Sequence, residues 1–448
     1  MSYISLSDKD KKEMLARTGA AGIDDLFCCI PEAVRLKKPL DLPAAKSELE
    51  LVRAIGAVGG KNTYGGHLSF LGGGAYDHFI PTVVDYLSSR GEFVSPYTPY
   101  QPEVSQGTLQ LVFEFQTLIC QLTGLDIAND SLYDGSTGAA EGVLMANRIT
   151  GRSKVLLASS LHPQYREVVR TYIKNLGIEA VEVGFGPDGR IDAAELGRAL
   201  DDKTAAVVCQ SPNFFGVVED VKALSDAAHG AKALSVVVVA EALSLALLES
   251  PGKLGADIVT GEAQSFGIPV SFGGPYLGFM ACKKEFLRQM PGRITGQTVD
   301  KEGRRGFVLT LSTREQHIRR ERATSNICSN QALCALRATI FMETLGKQGL
   351  REMAWQNAQK AAYAADKLGA VRGVKKKFTG PVFNEFVVEV PKPWAAVDAA
   401  LRGKGIVAGY GLGAEYPGVG NAAVVCVTEL RTKDDIDRLA RTLEEVLS

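Results

Sequence analysis

The sequence predicts an α/β protein with three parts: an N-terminal helical arm, a large domain on a mostly parallel sheet, and a smaller C-terminal α+β domain. Three observations predict this. Apolar, β-branched runs such as KVLLASS (154–160), TAAVVCQSPN (204–213) and LSVVVVAEAL (234–243) alternate with helical stretches, the pattern of parallel strands covered on both faces. Beyond about residue 370, KKFTGPVFNEFVVEV and NAAVVCVTEL alternate with helical patterns near Ala395–Leu401 and in DDIDRLARTLEEVL, which reads as a small α+β unit. Ahead of both, two helical patterns are broken apart by Pro31, Pro39 and Pro43, which suits an extended arm that wraps a partner. The boundaries follow as 1–55 for the arm, 56–330 for the large domain and 331–448 for the small domain with its connecting helix.

With 448 residues, 46% hydrophobic and 23% charged, the chain is long enough for two domains with a sizeable core. Lys plus Arg number 50 and Asp plus Glu 51, so the net charge of -1 points away from nucleic acid and towards small molecules or proteins. The eight cysteines, at 28, 29, 120, 209, 282, 328, 334 and 426, form no CxxC pair, and the start, MSYISLSDKDKKEM, is polar. Reduced cytoplasmic thiols are expected. The longest apolar run, about Leu234–Leu248, contains Ser235, Glu241 and Ser244 and is too short to span a membrane.

In order along the chain, Ser5 or Ser7 is placed to cap a first helix, and SELELVRAIGAVG forms a second. Eight glycines between Gly56 and Gly74 give the backbone freedom for loops that approach a ligand or another chain. A short helix is expected from near Pro81 to Gly91. In PYTPYQP, Pro96, Pro99 and Pro102 forbid regular structure and present Tyr97, Tyr100 and Gln101 from an irregular loop. The tyrosines could line a pocket or simply pack on the surface. A long amphipathic helix follows from about Gln106 to Leu122.

In YDGSTGAAEG, Ser136 and Thr137 open a helix between Gly135 and Gly138, a place for either an anion or plain capping. No capping box follows from Ser136 or Thr137, because Ala139 and Ala140 stand three residues on; that favours phosphate binding, or descent from a phosphate site. The strand ends further along carry Ser159, Ser160 and His162, then Gln210 to Asn213, then Glu241, then Gln264. Ligands of open α/β sheets collect at such ends. His162 could act there, or be a structural helix-start residue before Pro163. His67, His78, His229 and His317 show no metal-ligand spacing, and no metal is expected. Six arginines between 304 and 322 could bind an anion, although a solvated salt-bridged face is the commoner reading.

The glycine-rich stretch GADIVTGEAQSFGIPVSFGGPYLGF (255–279), together with PYTPYQPEVSQGTLQ (96–110), YDGSTGAAEG (133–142), SPNFFGVVED (211–220) and TREQHIRRERATSNICSNQAL (313–333), resembles the subunit 1 family of glycine decarboxylases, the P-proteins of the glycine cleavage system. The resemblance runs nearly end to end, and several long motifs in one order are far more specific than a single glycine pattern. It implies an aspartate-aminotransferase-like, pyridoxal-phosphate fold type I large domain. In that fold an Asp at a strand end faces the cofactor's ring nitrogen, and a Lys about two dozen residues later holds the cofactor covalently.

Here those two positions carry Glu241 and Gln264, and Gln cannot form the covalent link. Lys253, Lys283 and Lys284 lie where amines normally stay solvated. The resemblance therefore implies a chain inactive by itself, with pyridoxal phosphate on a lysine-bearing glycine dehydrogenase subunit 2 in an α2β2 assembly. Together the two subunits decarboxylate glycine and pass the aminomethyl group to the lipoyl arm of H-protein. By position in the matching motif, Tyr97, Tyr100 and Gln101 reach the partner's site, while Ser136, Thr137, His162, Glu241 and Gln264 mark a vestigial one. Two alternatives stay open: a self-sufficient enzyme using an unexpected lysine, and a regulatory or structural subunit contributing nothing to the active site.

Overall fold

The computed structural model describes residues 5–94, 96–327 and 330–448, so Cys328, one of the thiols expected to be reduced, lies outside the described residues. The other seven cysteines are free thiols. Two units divide between Gly65 and Gly66.

The first unit holds two helices whose starts are written in the sequence. Ser7 caps Asp8–Thr18 in a reciprocal box with Asp10, and Ser47 caps Glu48–Gly59 with Glu50 in the same way. No described residue in this unit is buried. Its apolar side chains stand in the open, with Val34, Leu36 and Leu42 each more than 70% exposed.

The second unit is organised on a seven-stranded sheet. Its order is Ile127–Ala128, Gly278–Cys282, Ile258–Glu262, Leu234–Val239, Thr204–Gln210, Lys154–Ala158, Glu179–Val183. The last five strands pair in parallel, and the first two are antiparallel additions. The strands read as continuous apolar runs because helices cover both faces, and the core accordingly falls into two clusters. The chain goes out from Lys154–Ala158 to the edge strand and returns on the other side with Thr204–Gln210. That reversal opens a crevice beyond the strand ends. Helix starts follow local capping, with Asp192 before Ala193–Ala199 and Asp220 before Val221–Gly230.

The helix Ala332–Gly369 turns sharply at Gly346, whose φ of 58° only glycine adopts cheaply, and leads into a four-stranded antiparallel sheet. That sheet is backed by Trp394–Gly403 and Lys433–Leu447. Arg305–Thr310, within the basic stretch, is a strand in a hairpin with Ile294–Val299, and Arg304 beside it is exposed and ion-paired with Asp300 and Glu302, a solvated salt-bridged face. One feature differs from the expectation. Leu68–Ser69, expected in the large domain, pairs with Ile406–Val407 of the small one, so residues 66–80 are stitched across the C-terminal strands. Among the described residues no helix is long and apolar enough to cross a membrane.

Candidate functional site

The crevice at the strand ends is bordered by the helix Gly135–Thr150. Its N-cap is Asp134, not Ser136 or Thr137. Asp134 Oδ1 accepts the Thr137 N–H at 2.8 Å and the Ser136 hydroxyl at 2.6 Å. The Thr137 hydroxyl is in turn within hydrogen-bond range of the Asp134 backbone. The capping box absent from the Ser136 and Thr137 frames therefore exists one frame earlier. The Gly135 N–H donates to Glu262 Oε2 at 2.9 Å. Glycine is required there because a Cβ would collide with Tyr165 and Glu262.

Glu262 is buried at the end of its strand and also accepts the N–H groups of Leu277 (2.8 Å) and Gln264 (3.0 Å) on Oε1. Burial pushes its carboxyl up to about 7, against the pull of those N–H donors. Two of the chain's own carboxyls thus occupy the helix N-terminus, where anions are favoured.

His162 sits at the next strand end, where its N–H is held by Gln210 Oε1 at 2.9 Å. Its ring stacks on Tyr165 (centroids 4.8 Å apart, 29°) and meets the edge of Phe214. Nδ1 accepts the Gln164 N–H and Nε2 donates to the Gly73 carbonyl at 2.8 Å, so both nitrogens are used by backbone. Burial holds it neutral, with a pKa lowered to about 4. A ring so tied is held in one orientation.

Glu241 ends its strand as expected, but its carboxylate is taken. Oε1 accepts the Leu243 N–H (3.0 Å), while Oε2 accepts from Asn384 Nδ2 and His78 Nε2, each at 3.1 Å. The other ring nitrogen of His78 lies 2.9 Å from Glu429 Oε2. An imidazole offers two N–H donors only when protonated, and here each nitrogen faces a carboxylate. Burial opposes that charge, but Glu241 and Glu429 outweigh it and raise the pKa to about 10.

Gln264 is 1% exposed and fully bonded. Its Oε1 accepts the Tyr76 N–H at 2.8 Å, and its Nε2 donates to the carbonyls of Tyr76 (2.9 Å) and Ile268 (2.7 Å). Beside it, Glu385 accepts from Gly73 N (2.7 Å) and the Tyr76 hydroxyl (2.9 Å).

These residues do not fit pyridoxal phosphate. A phosphate group would need N–H donors already given to Asp134 and Glu262. A ring would need the Glu241 oxygens that His78 and Asn384 hold. The covalent link would need an amine where Gln264 spans two backbone segments. The Gly135 and Thr137 N–H groups, the Glu241 oxygens and the Gln264 amide already bond within the chain.

Of the residues placed at the partner's site, Tyr97 is 87% and Tyr100 49% exposed, and Gln101 is exposed as well. The three do not join the crevice residues. The basic stretch is largely spoken for: Arg304 pairs with Asp300 and Glu302, and Arg314 clasps the carbonyls of Met290 and Gly292. Lys253 pairs with Glu249 and Lys283 with Asp257. Sequence reasoning missed Glu262, although it stands two residues before Gln264 in the quoted motif. It also set His78 aside with the histidines that lack metal spacing.

A mostly parallel sheet with a pocket beyond its strand ends and an antiparallel C-terminal domain defines the aspartate-aminotransferase-like class of fold. A family model described as glycine cleavage system P-protein matches residues 1–443, and the chain belongs to that family. Among its relatives, the probable glycine dehydrogenase (decarboxylating) subunit 1 of Brevibacillus brevis is 52% identical over 445 residues, covering 99% of this chain and 98% of the relative. That of Geotalea uraniireducens is 53% identical over 447 residues, covering 100% of both. A solved glycine decarboxylase (P-protein) of the glycine cleavage system, in inhibitor-bound form, superposes with a TM-score of 0.91 at 44% identity, with 100% of each chain covered. A sphingosine-1-phosphate lyase of Burkholderia pseudomallei shares the fold at a TM-score of 0.67 and 15% identity.

Proposed function

We propose that this chain is the subunit of a cytoplasmic glycine decarboxylase that lacks the cofactor lysine, acting with a lysine-bearing second subunit in an α2β2 assembly. The reaction is decarboxylation of glycine, followed by transfer of the aminomethyl group to the lipoyl arm of H-protein. The observation that carries the reading is Gln264: where the resemblance expects the lysine stands a buried amide bonded to Tyr76 and Ile268. Pyridoxal phosphate, held by the second subunit, supplies the electron sink for the carbanion left when carbon dioxide departs.

This chain's share is positioning and shape, which raise rates when reacting groups must be held in register. Tyr97, Tyr100 and Gln101 project from the proline-bound loop towards the partner's centre, and their exposure in the single chain supports this. Ser136, Thr137, His162, Glu241 and Gln264 are the remains of a cofactor site whose donors now serve the fold. The open apolar side chains of residues 5–65 suit an arm that wraps the partner.

Reconstitution tests the reading. This chain alone should not catalyse exchange between glycine and carbon dioxide, and adding it to the lysine-bearing subunit should restore that exchange. A partner fully active without it would leave only a regulatory role.

A further inference from the structure

The loop that carries Tyr100 has no regular structure to orient a side chain. Its prolines remove donors and restrict the backbone without fixing the direction of a ring. The Tyr100 ring is instead met by groups roughly two hundred residues away. The Arg293 guanidinium carbon lies 5.6 Å from its centroid, and the His317 ring lies 5.2 Å away at 57°.

Both neighbours converge on one carboxylate. Glu315 Oε2 is 3.6 Å from Arg293 Nε and 3.6 Å from His317 Nδ1. Arg293 is 6% exposed, and its carbonyl accepts the Asp130 N–H at 2.8 Å, which fixes it to the rim of the large sheet.

A tyrosine that merely covers surface needs apolar neighbours, not this layer of charge. Burying a cation and a carboxylate carries a desolvation cost that their attraction only partly returns. Part of the layer also goes unused, since Glu315 Oε1 has no hydrogen-bond partner among the described residues. Buried acceptors left unpaired are rare, and such costs collect where geometry serves function. A guanidinium suits the task because its plane lies against an aromatic face while its charge pairs with a carboxylate.

We propose that Arg293, Glu315 and His317 form a clip that sets the angle at which the Tyr100 ring enters the partner's active centre. All three are then positioning residues that act through Tyr100. The inference rests on the reading above that Tyr100 reaches that centre.

The test uses the assembled two-subunit enzyme, measuring kcat and KM for glycine–carbon dioxide exchange in Tyr100→Ala, Arg293→Met, His317→Ala, His317→Phe and the Tyr100→Ala/Arg293→Met double variant. Arg293→Met and His317→Ala should each lower kcat about tenfold while the chains still assemble, the effect of a misplaced group near the chemistry. His317→Phe, which keeps a ring against Tyr100, should stay near the parent rate. The double variant should be no slower than Tyr100→Ala alone. The clip is overturned if Tyr100→Ala slows the enzyme while Arg293→Met and His317→Ala do not, or if the losses multiply in the double variant. An unimpaired Tyr100→Ala enzyme overturns the reading of Tyr100 itself, and the clip with it.

Discussion

His78 and Glu241 form a buried ion pair, with 3.1 Å between Nε2 and Oε2, at the strand end where this class of fold would hold a cofactor ring. Glu429 completes the bridge at 2.9 Å on the other nitrogen. The pair therefore places a cation of the chain's own against Glu241, and it joins the large sheet to the C-terminal strands.

Removing that cation should leave two carboxylates buried without their shared partner. His78→Leu is expected to cost about 3–5 kcal/mol of stability, the usual penalty for breaking a buried pair from one side. Denaturant unfolding of the isolated chain measures it. A loss under about 1 kcal/mol would show that the bridge contributes little.

The pH dependence has a definite sign. His78 is held near 10 in the folded chain against an ordinary 6.5, so its contribution is complete below about pH 6.5 and fades as pH rises through 10. Glu262 and Glu385, each raised to about 7 chiefly by burial, bind their protons more tightly folded than unfolded. Their contributions are complete below about pH 4.5 and are lost as pH rises through 7. Glu385→Gln keeps the shape and can still bond the Tyr76 hydroxyl while abolishing that titration. Plotted as variant minus parent, melting temperature should rise between about pH 4.5 and 7 and then level off. A flat difference would mean that Glu385 titrates normally.

Restoring the lysine should not restore the site. In Gln264→Lys an amine replaces an amide that spans Tyr76 and Ile268, and the Tyr76 N–H loses its acceptor. A buried donor left unpaired costs about 1–3 kcal/mol, so the variant should be less stable than the parent. It should also show no saturable absorbance change with pyridoxal phosphate, because Asp134 and Glu262 still hold the helix-start N–H groups and His78 still holds Glu241. A bound, coloured variant would mean that the pocket opens readily.

Much of this architecture was legible in local sequence. Asp192 and Asp220 stand before apolar periodicities and cap the helices that follow. The β-branched runs ending at Gln210 and Val239 became central parallel strands because such runs are stable only when covered on both faces. The contents of the pocket were legible only in part. Gln264 announced itself by its place in a motif, whereas the partner of Glu241 is a histidine 163 residues away that no spacing rule connects to it. The arginines between 304 and 322 were legible as a salt-bridged surface, whereas the strand pairing within the stretch was not, because charge density is visible in sequence and register is not. The hairpin with Ile294–Val299 follows from tertiary packing on the helix Gln106–Thr123, through Gln106, Gln116 and their backbone partners.

The exposed loop offers a separate check on assembly. Gln101→Ala should lower exchange by the assembled enzyme while the two chains still co-purify, since its side chain is exposed and supports no core. An unchanged rate would return Gln101 to the surface.

The division of labour between two chains is tested most directly by borohydride reduction of the assembled enzyme, followed by separation of the subunits and counting of the fixed cofactor. The label is expected entirely on the lysine-bearing partner and none on this chain. Cofactor fixed to any lysine of this chain would contradict the account.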